Sequence, residues 1–156
     1  VASGVEAIQQ QGINTVIVAG GPGHVGTGTS LGFSALDLAG HAAVLTALGA
    51  DVALAVRASS ADERARHKEI SHHTVTLLDI ITSPISVPVP LGPQKDSNGA
   101  HSWITARGHR PVAFPFVDLG AAFSVAGLEV ATMGRRLADD RLAMVYLGAA
   151  AAWLAG

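Results

Sequence analysis

The sequence predicts an α/β fold built on a small, mostly parallel sheet flanked by helices. Three observations carry that prediction. Short β-branched runs alternate with segments of helical period, as at residues 13–19, 34–48 and 51–57. Glycines stand where those helical segments must stop, at Gly12 and Gly49. Finally, 49% of the 156 residues are hydrophobic and only 14% charged, so one compact domain could bury roughly two thirds of its unfolded surface.

The elements follow in order. Residues 3–11 form a short helix ended by Gly12, and residues 13–19 read as a buried strand because they are short, apolar and β-branched. A glycine-rich stretch, 20–32, intervenes. Ser34 and Asp37 then resemble a capping box, and Leu38, His41, Leu45 and Leu48 follow at helical spacing. Residues 51–57 give a second strand. A strand–helix–strand unit defaults to parallel strands joined by a right-handed crossover.

Residues 62–82 read as one helix, with Ile70, Thr74, Leu77 and Ile81 on a single stripe. Residues 85–89 form a strand that Pro84, Pro88 and Pro90 confine to an edge or irregular position. The polar stretch 91–109 reads as a long loop, 111–117 as a strand, and 139–154 as a last helix. No internal repeat is found. The expected whole is a Rossmann-like three-layer arrangement that is not a true dinucleotide fold.

Composition narrows the function classes. A net charge of −2 disfavours a nucleic-acid partner. The lack of cysteine excludes disulfides and thiolate chemistry and is compatible with a cytoplasmic location. The longest uncharged run, 142–156, is shorter than the roughly 20 apolar residues a bilayer requires, so no membrane partner is expected. Apolar coverage and the alanine-rich tail point to a homo-oligomer.

Two motifs carry chemistry. In "GGPGHVGTGTSLG", Gly20 to Gly32, six of thirteen residues are glycine. Gly21, Gly23 and Gly26 match the G-x-G-x-x-G dinucleotide spacing, but the helix starts late and the next strand ends in Arg57 without an acidic residue for a ribose. A P-loop spacing from Gly23 to Ser30 places Thr29 where lysine belongs, which removes the main phosphate partner. The third template is an anion nest: backbone N–H groups of Gly21, Gly23, His24, Gly26, Thr27, Gly28 and Thr29, helped by the hydroxyls of Thr27, Thr29 and Ser30, would hold an anionic ligand. The bland alternative is a tight turn with close helix packing.

The second motif is "RARHKEISHHT", Arg64 to Thr74. If one helix runs through it, Glu69 and His73 form an i,i+4 pair. If Ser71 caps a new helix, His72 and His73 lie in its first turn, where the positive helix end disfavours their protonation. They then serve as bases or metal ligands. Neighbouring histidines on a regular helix diverge by about 100°, so a divalent metal needs further ligands, with Asp62, Asp118, His67 and His24 as candidates. The expected catalytic residues are His72, His73 and Ser71, and the expected anion contacts add Arg66, His67, Thr74 and Arg135. His41 reads as a hydrogen-bonded core residue, and His101 and His109 as solvated. Arg135 and Arg136 read either as an anion site or as an exposed pair, and Asp139-Asp140 as a helix start.

The strings "GPGHVGTGTSLGFSA", "RARHKEISHHT" and "TMGR", in that order and spacing, resemble the bacterial domain-of-unknown-function family DUF3866 from about residue 13 to residue 140. The resemblance implies that residues 21–29, Arg66, His67, residues 71–74 and Arg135 match its motifs, and that this chain corresponds to a carboxyl-terminal half. It supplies no reaction. The family form has a small residue, usually glycine, where Glu69 stands, which weakens a Glu69–His73 pair and favours the Ser71-capped geometry. The expected activity is hydrolysis or another group transfer on a small anionic metabolite, with a non-catalytic nucleotide or anion sensor, or an assembly module, as alternatives.

Overall fold

The computed structural model describes residues 1–20, 25–91, 95–115, 117–132 and 134–156. Six helices and three two-stranded sheets run through them, a mixed α/β architecture. In chain order these are α1 (Ala2–Gln9), α2 (Asp37–Ala47), β1 (Ala58–Ser59), β2 (Glu69–Ile70), α3 (His72–Ile80), β3 (Ser86–Pro90), α4 (Lys95–Thr105), β4 (Arg110–Phe114), α5 (Leu119–Val125), β5 (Ala131–Thr132), β6 (Arg135–Arg136) and α6 (Arg141–Ala155). The expected stops hold: Gly12 and Gly49 follow α1 and α2 with φ of 78° and 85°, a region open to glycine at little cost.

The core gathers on β3. It pairs in parallel with β4, from Ser86 beside Arg110 to Pro90 beside Phe114. Residues 51–57 lie along its other side and pair with it through the parallel bridge Ala53–Ser86, where Ser86 N donates to Val52 O at 2.9 Å and Leu54 N to Ser86 O at 3.0 Å. All five β3 residues are buried. Because alternate side chains leave opposite faces, both faces of β3 are covered. Helices α4 and α6 both pack on it, and Val87, Val89, Ile85, Leu78, Ile104 and Tyr146 fill the interior.

The prolines of β3 explain where its pairing ends. Backbone N–H groups alternate sides along a strand, and Ser86 N points to residues 51–57 while Leu91 N donates to Phe114 O on the β4 side. Pro88 and Pro90 therefore turn their missing N–H away from β4, toward the side where pairing stops after Ala53. The edge character expected from the prolines holds for that side, within a buried strand.

Several expectations change. Of the three sheets among the described residues, β3–β4 is parallel and β1–β2 and β5–β6 are antiparallel, a mixed α/β architecture without a clear mostly parallel, Rossmann-like layering. Residues 13–19 form no strand, and Ile13, Val16 and Ile17 are exposed, because no other described segment pairs with them. The expected helix 62–82 is broken and begins only at His72. The expected loop 91–109 contains α4, which buries Ala100 and Ile104. His109 is buried rather than solvated: its Nε2 donates to Leu78 O at 2.8 Å, tying the end of α3 to the start of β4. His101 is partly buried.

Candidate functional site

The site grows from the point where residues 51–57 end. Ser71 N donates to Arg57 O at 2.9 Å, and Arg57 N donates to Thr74 Oγ1 at 2.9 Å, so the start of α3 is pinned to Arg57. Between them the chain makes a short excursion through β1, a 3₁₀ turn at Ala65–His67, and β2. Its outer part is anchored on two buried carboxylates. Asp62 accepts from Arg64 Nε at 3.0 Å and Nη2 at 2.8 Å, with Arg135 Nη2 at 3.6 Å. Those guanidinium contacts hold its carboxyl far below the usual carboxylate range. Asp140 caps α6 and also accepts from Ser59, Ser60 N and the Ser60 hydroxyl.

This excursion brings His67 back over the first turn of α3. Ser71 is the α3 N-cap, as the Ser71-capped geometry anticipates, and its Oγ accepts from His73 N at 3.3 Å. The same Oγ lies 2.8 Å from His67 Nδ1, and Ser71 is fully buried. Three imidazoles then meet: the His72 and His73 ring centres are 4.4 Å apart, and His67 lies 4.9 Å from each. One ring nitrogen from each residue lies within 4.8 Å of the others. The divergence of helix neighbours is overcome because His72 and His73 occupy a first turn, with no preceding helical turn to direct them, and because His67 supplies the third ring.

Burial and neighbouring cations both disfavour a charge on His67 and His72. Burial, followed by the cations Arg57 and Arg64, holds His67 down at about 4. Burial, then Arg66 and Arg57, also lowers His72. His72 Nε2 is buried and has no hydrogen-bond partner among the described residues. Arg57 Nη1 donates to His73 Nδ1 at 3.1 Å, which leaves the ring proton of His73 on Nε2. Phe33 closes one side, stacked on His73 with centroids 4.1 Å apart and planes 6° from parallel.

Phe33 is the contribution of the glycine-rich stretch. Residues 25–34 close a small hairpin: Gly26 bridges Phe33, Thr27 N donates to Gly32 O at 2.7 Å, and Ser34 N donates to Val25 O at 2.9 Å. Gly32 is needed there, since a Cβ would lie 1.8 Å from Thr27 Oγ1. Thr27 N is engaged within the hairpin, Thr27 and Thr29 hydroxyls face one another at 3.1 Å, and Gly26, Thr27, Gly28 and Thr29 are exposed. The expected nest residues Gly21, Gly23 and His24 lie outside the described residues.

The remaining sequence candidates divide. Arg66 is exposed at the mouth of the cluster, and the Thr74 hydroxyl is engaged with the Arg57 backbone. Arg135 leans on Asp62, whereas Arg136 pairs with Asp139 at the surface. Asp62 is held by arginines and Asp118 caps α5, so neither joins the imidazoles. Sequence reasoning missed Phe33, and it noted Arg57 only as the residue that ends the expected strand 51–57. The signal for Arg57 was its place at the end of the expected strand 51–57, which the structure reduces to a single bridge at Ala53.

A family model described as a protein of unknown function, DUF3866, matches residues 1–152, and the chain belongs to that family. No curated protein and no solved structure matches it.

Proposed function

We propose that this member of the DUF3866 family is an enzyme that performs hydrolysis or another group transfer on a small anionic metabolite at His67, His72 and His73. The observation that carries this reading is the convergence of three imidazole nitrogens within 4.8 Å beside Arg57 and Arg66. Neutral imidazoles supply lone pairs that activate a nucleophile, and the arginines supply positive charge for an anionic substrate and for the charge that develops on it. His72 offers a buried, unpartnered Nε2 for that purpose. Ser71 Oγ is engaged by the α3 N-terminus and by His67 Nδ1, so it orients His67 instead of attacking substrate. Phe33 shields one face from water, which strengthens every charge interaction inside.

The test is a screen of phosphate and carboxylate esters with the wild-type chain and with His72→Ala and His73→Ala. Loss of a positioned acid–base group costs about 10²–10⁴-fold in rate, so turnover should fall on that scale. Unchanged turnover removes these histidines from catalysis. A rise in melting temperature with anions but no turnover supports the sensor reading instead. The exposed apolar side chains Ile17, Val25 and Leu31 support self-association, which light scattering measures directly. Among the described residues no helix is long and apolar enough to cross a membrane.

A further inference from the structure

We infer that His67, His72 and His73 form a tris-imidazole site for one divalent first-row metal ion, Zn²⁺ being the best match, with a coordination position left open for water or an anion. The inference stands apart from catalysis, since capture of an ion needs no turnover. Three arguments carry it.

The first is reach. On a tetrahedral ion with Zn–N bonds of about 2.0–2.1 Å, ligand nitrogens stand about 3.3 Å apart. The three nitrogens already lie within 4.8 Å of one another, so the widest pair closes by about 1.5 Å, a side-chain adjustment. The second is the unexplained nitrogen. His72 Nε2 is buried without a hydrogen-bond partner among the described residues, although a buried polar atom of this kind is ordinarily satisfied. A metal bond satisfies it.

The third is the support behind the ligands. A ligating histidine commonly donates its other ring N–H to a fixed acceptor, which sets the tautomer and aims the lone pair. Ser71 Oγ, held by the α3 backbone and 2.8 Å from His67 Nδ1, is such an acceptor, and it leaves Nε2 of His67 for the ion. An all-imidazole donor set suits zinc, copper, iron and nickel over magnesium or calcium. Zinc fits best because it imposes no geometric preference of its own. Three protein ligands are the usual count for a site that keeps a position for water or substrate.

Arg57 is the opposing element. Its guanidinium donates to His73 Nδ1 and places a positive charge beside the ion. Metal capture therefore requires Arg57 to release that nitrogen, and Arg57 sets the affinity downward.

The experiment is a titration of the whole chain, stripped with a chelator, with Zn²⁺ by calorimetry and with Co²⁺ by visible absorption. One ion per chain and a tetrahedral Co²⁺ spectrum are expected. His72→Gln and His73→Gln, both at partly exposed positions, should each weaken binding by more than the roughly 10- to 100-fold that a supporting residue costs. Arg57→Ala should tighten it, by about tenfold or more, because a like charge is removed. Circular dichroism verifies that each variant is folded. Absence of binding below about 100 μM, a binding energy of about 5.5 kcal/mol, overturns the site. Wild-type affinity in both histidine variants overturns it as well, by placing the ion elsewhere. Metal binding without ester turnover upholds the site while ending the catalytic reading, and ester turnover by a chain that binds no metal overturns the site while leaving the catalytic reading standing.

Discussion

Ser71→Ala removes one oxygen atom and tests the whole arrangement. Ser71 Oγ does two things: it accepts His73 N at the α3 N-terminus, and it bonds His67 Nδ1 at 2.8 Å in the interior. Losing an N-cap hydroxyl costs about 1 kcal/mol. Orphaning a buried polar nitrogen costs a further 1–3 kcal/mol or so. The sum, about 2–4 kcal/mol, corresponds to a drop of roughly 5–15 °C in melting temperature for a chain of this length. Urea and thermal unfolding followed by circular dichroism measure it. Ser71→Gly separates the two contributions, because glycine at an N-cap costs only a few tenths of a kcal/mol while His67 is still orphaned. Its loss should therefore fall roughly 0.5–0.8 kcal/mol short of that of Ser71→Ala. A change below about 1 kcal/mol for Ser71→Ala would show that the hydroxyl neither caps α3 nor holds His67, and the geometry of the imidazole cluster would lose its anchor.

Other perturbations probe the same region. Phe33→Ala removes a buried ring stacked on His73 and should cost about 3 kcal/mol, read from the urea midpoint; a change under 1 kcal/mol would mean the hairpin is not seated on the cluster. In chelator-treated protein, His67 titrates at about 4 folded and near its ordinary 6.5 unfolded, so the unfolded chain takes up the proton first. Stability complete above pH 6.5 is then lost as pH falls from there through about 4, by about 3 kcal/mol in all, and a flat profile over that window counts against a buried neutral His67. Glu69 is a non-glycine residue at φ 60°, where an L side chain costs about 1–2 kcal/mol, while glycine costs about 0.5–1 kcal/mol in backbone entropy. Glu69→Gly should raise the melting temperature by about 2–3 °C, and a lowered value would show that the Glu69 side chain contributes contacts that outweigh the strain.

Local rules were legible at Ser71 and Gly49 but not at Ser34, which opens a 3₁₀ turn instead of capping α2. Ser71 before His72-His73 reads as a cap and is one, and Gly49 reads as a stop and adopts the conformation that requires it. Pairing was not legible, because a strand needs a partner that its own residues do not name. Residues 13–19 have the composition of a buried strand and remain unpaired, whereas 85–89, marked down for proline, form the center of the core. The α4 helix was hidden by polar residues at its start; Ala100, Trp103 and Ile104 at helical spacing were the signal. His109 looked solvated because its neighbours are polar, yet the partners that bury it, Leu78 and Ile85, lie more than twenty residues away.

The imidazole cluster owes its existence to a break that periodicity argues against. Ile70, Thr74, Leu77 and Ile81 fit one helical stripe, and a continuous helix would have carried His67 and His72 five positions apart, about 140° around the axis. Rings so placed cannot converge. Residues 60–68 turn the chain back instead so that β2 pairs with β1, Glu69 in the left-handed region redirects it within β2, and Ser71 restarts the helix from a new direction. His67 on one side of Glu69 then faces His72 and His73 on the other. The glycine that the family resemblance implies at position 69 is the residue such a redirection asks for. Glutamate holds the same backbone at a cost, so the geometry must be stabilised from elsewhere. The buried bond of Ser71 to His67 and the partly buried bond of Arg57 to Thr74 are placed to do so.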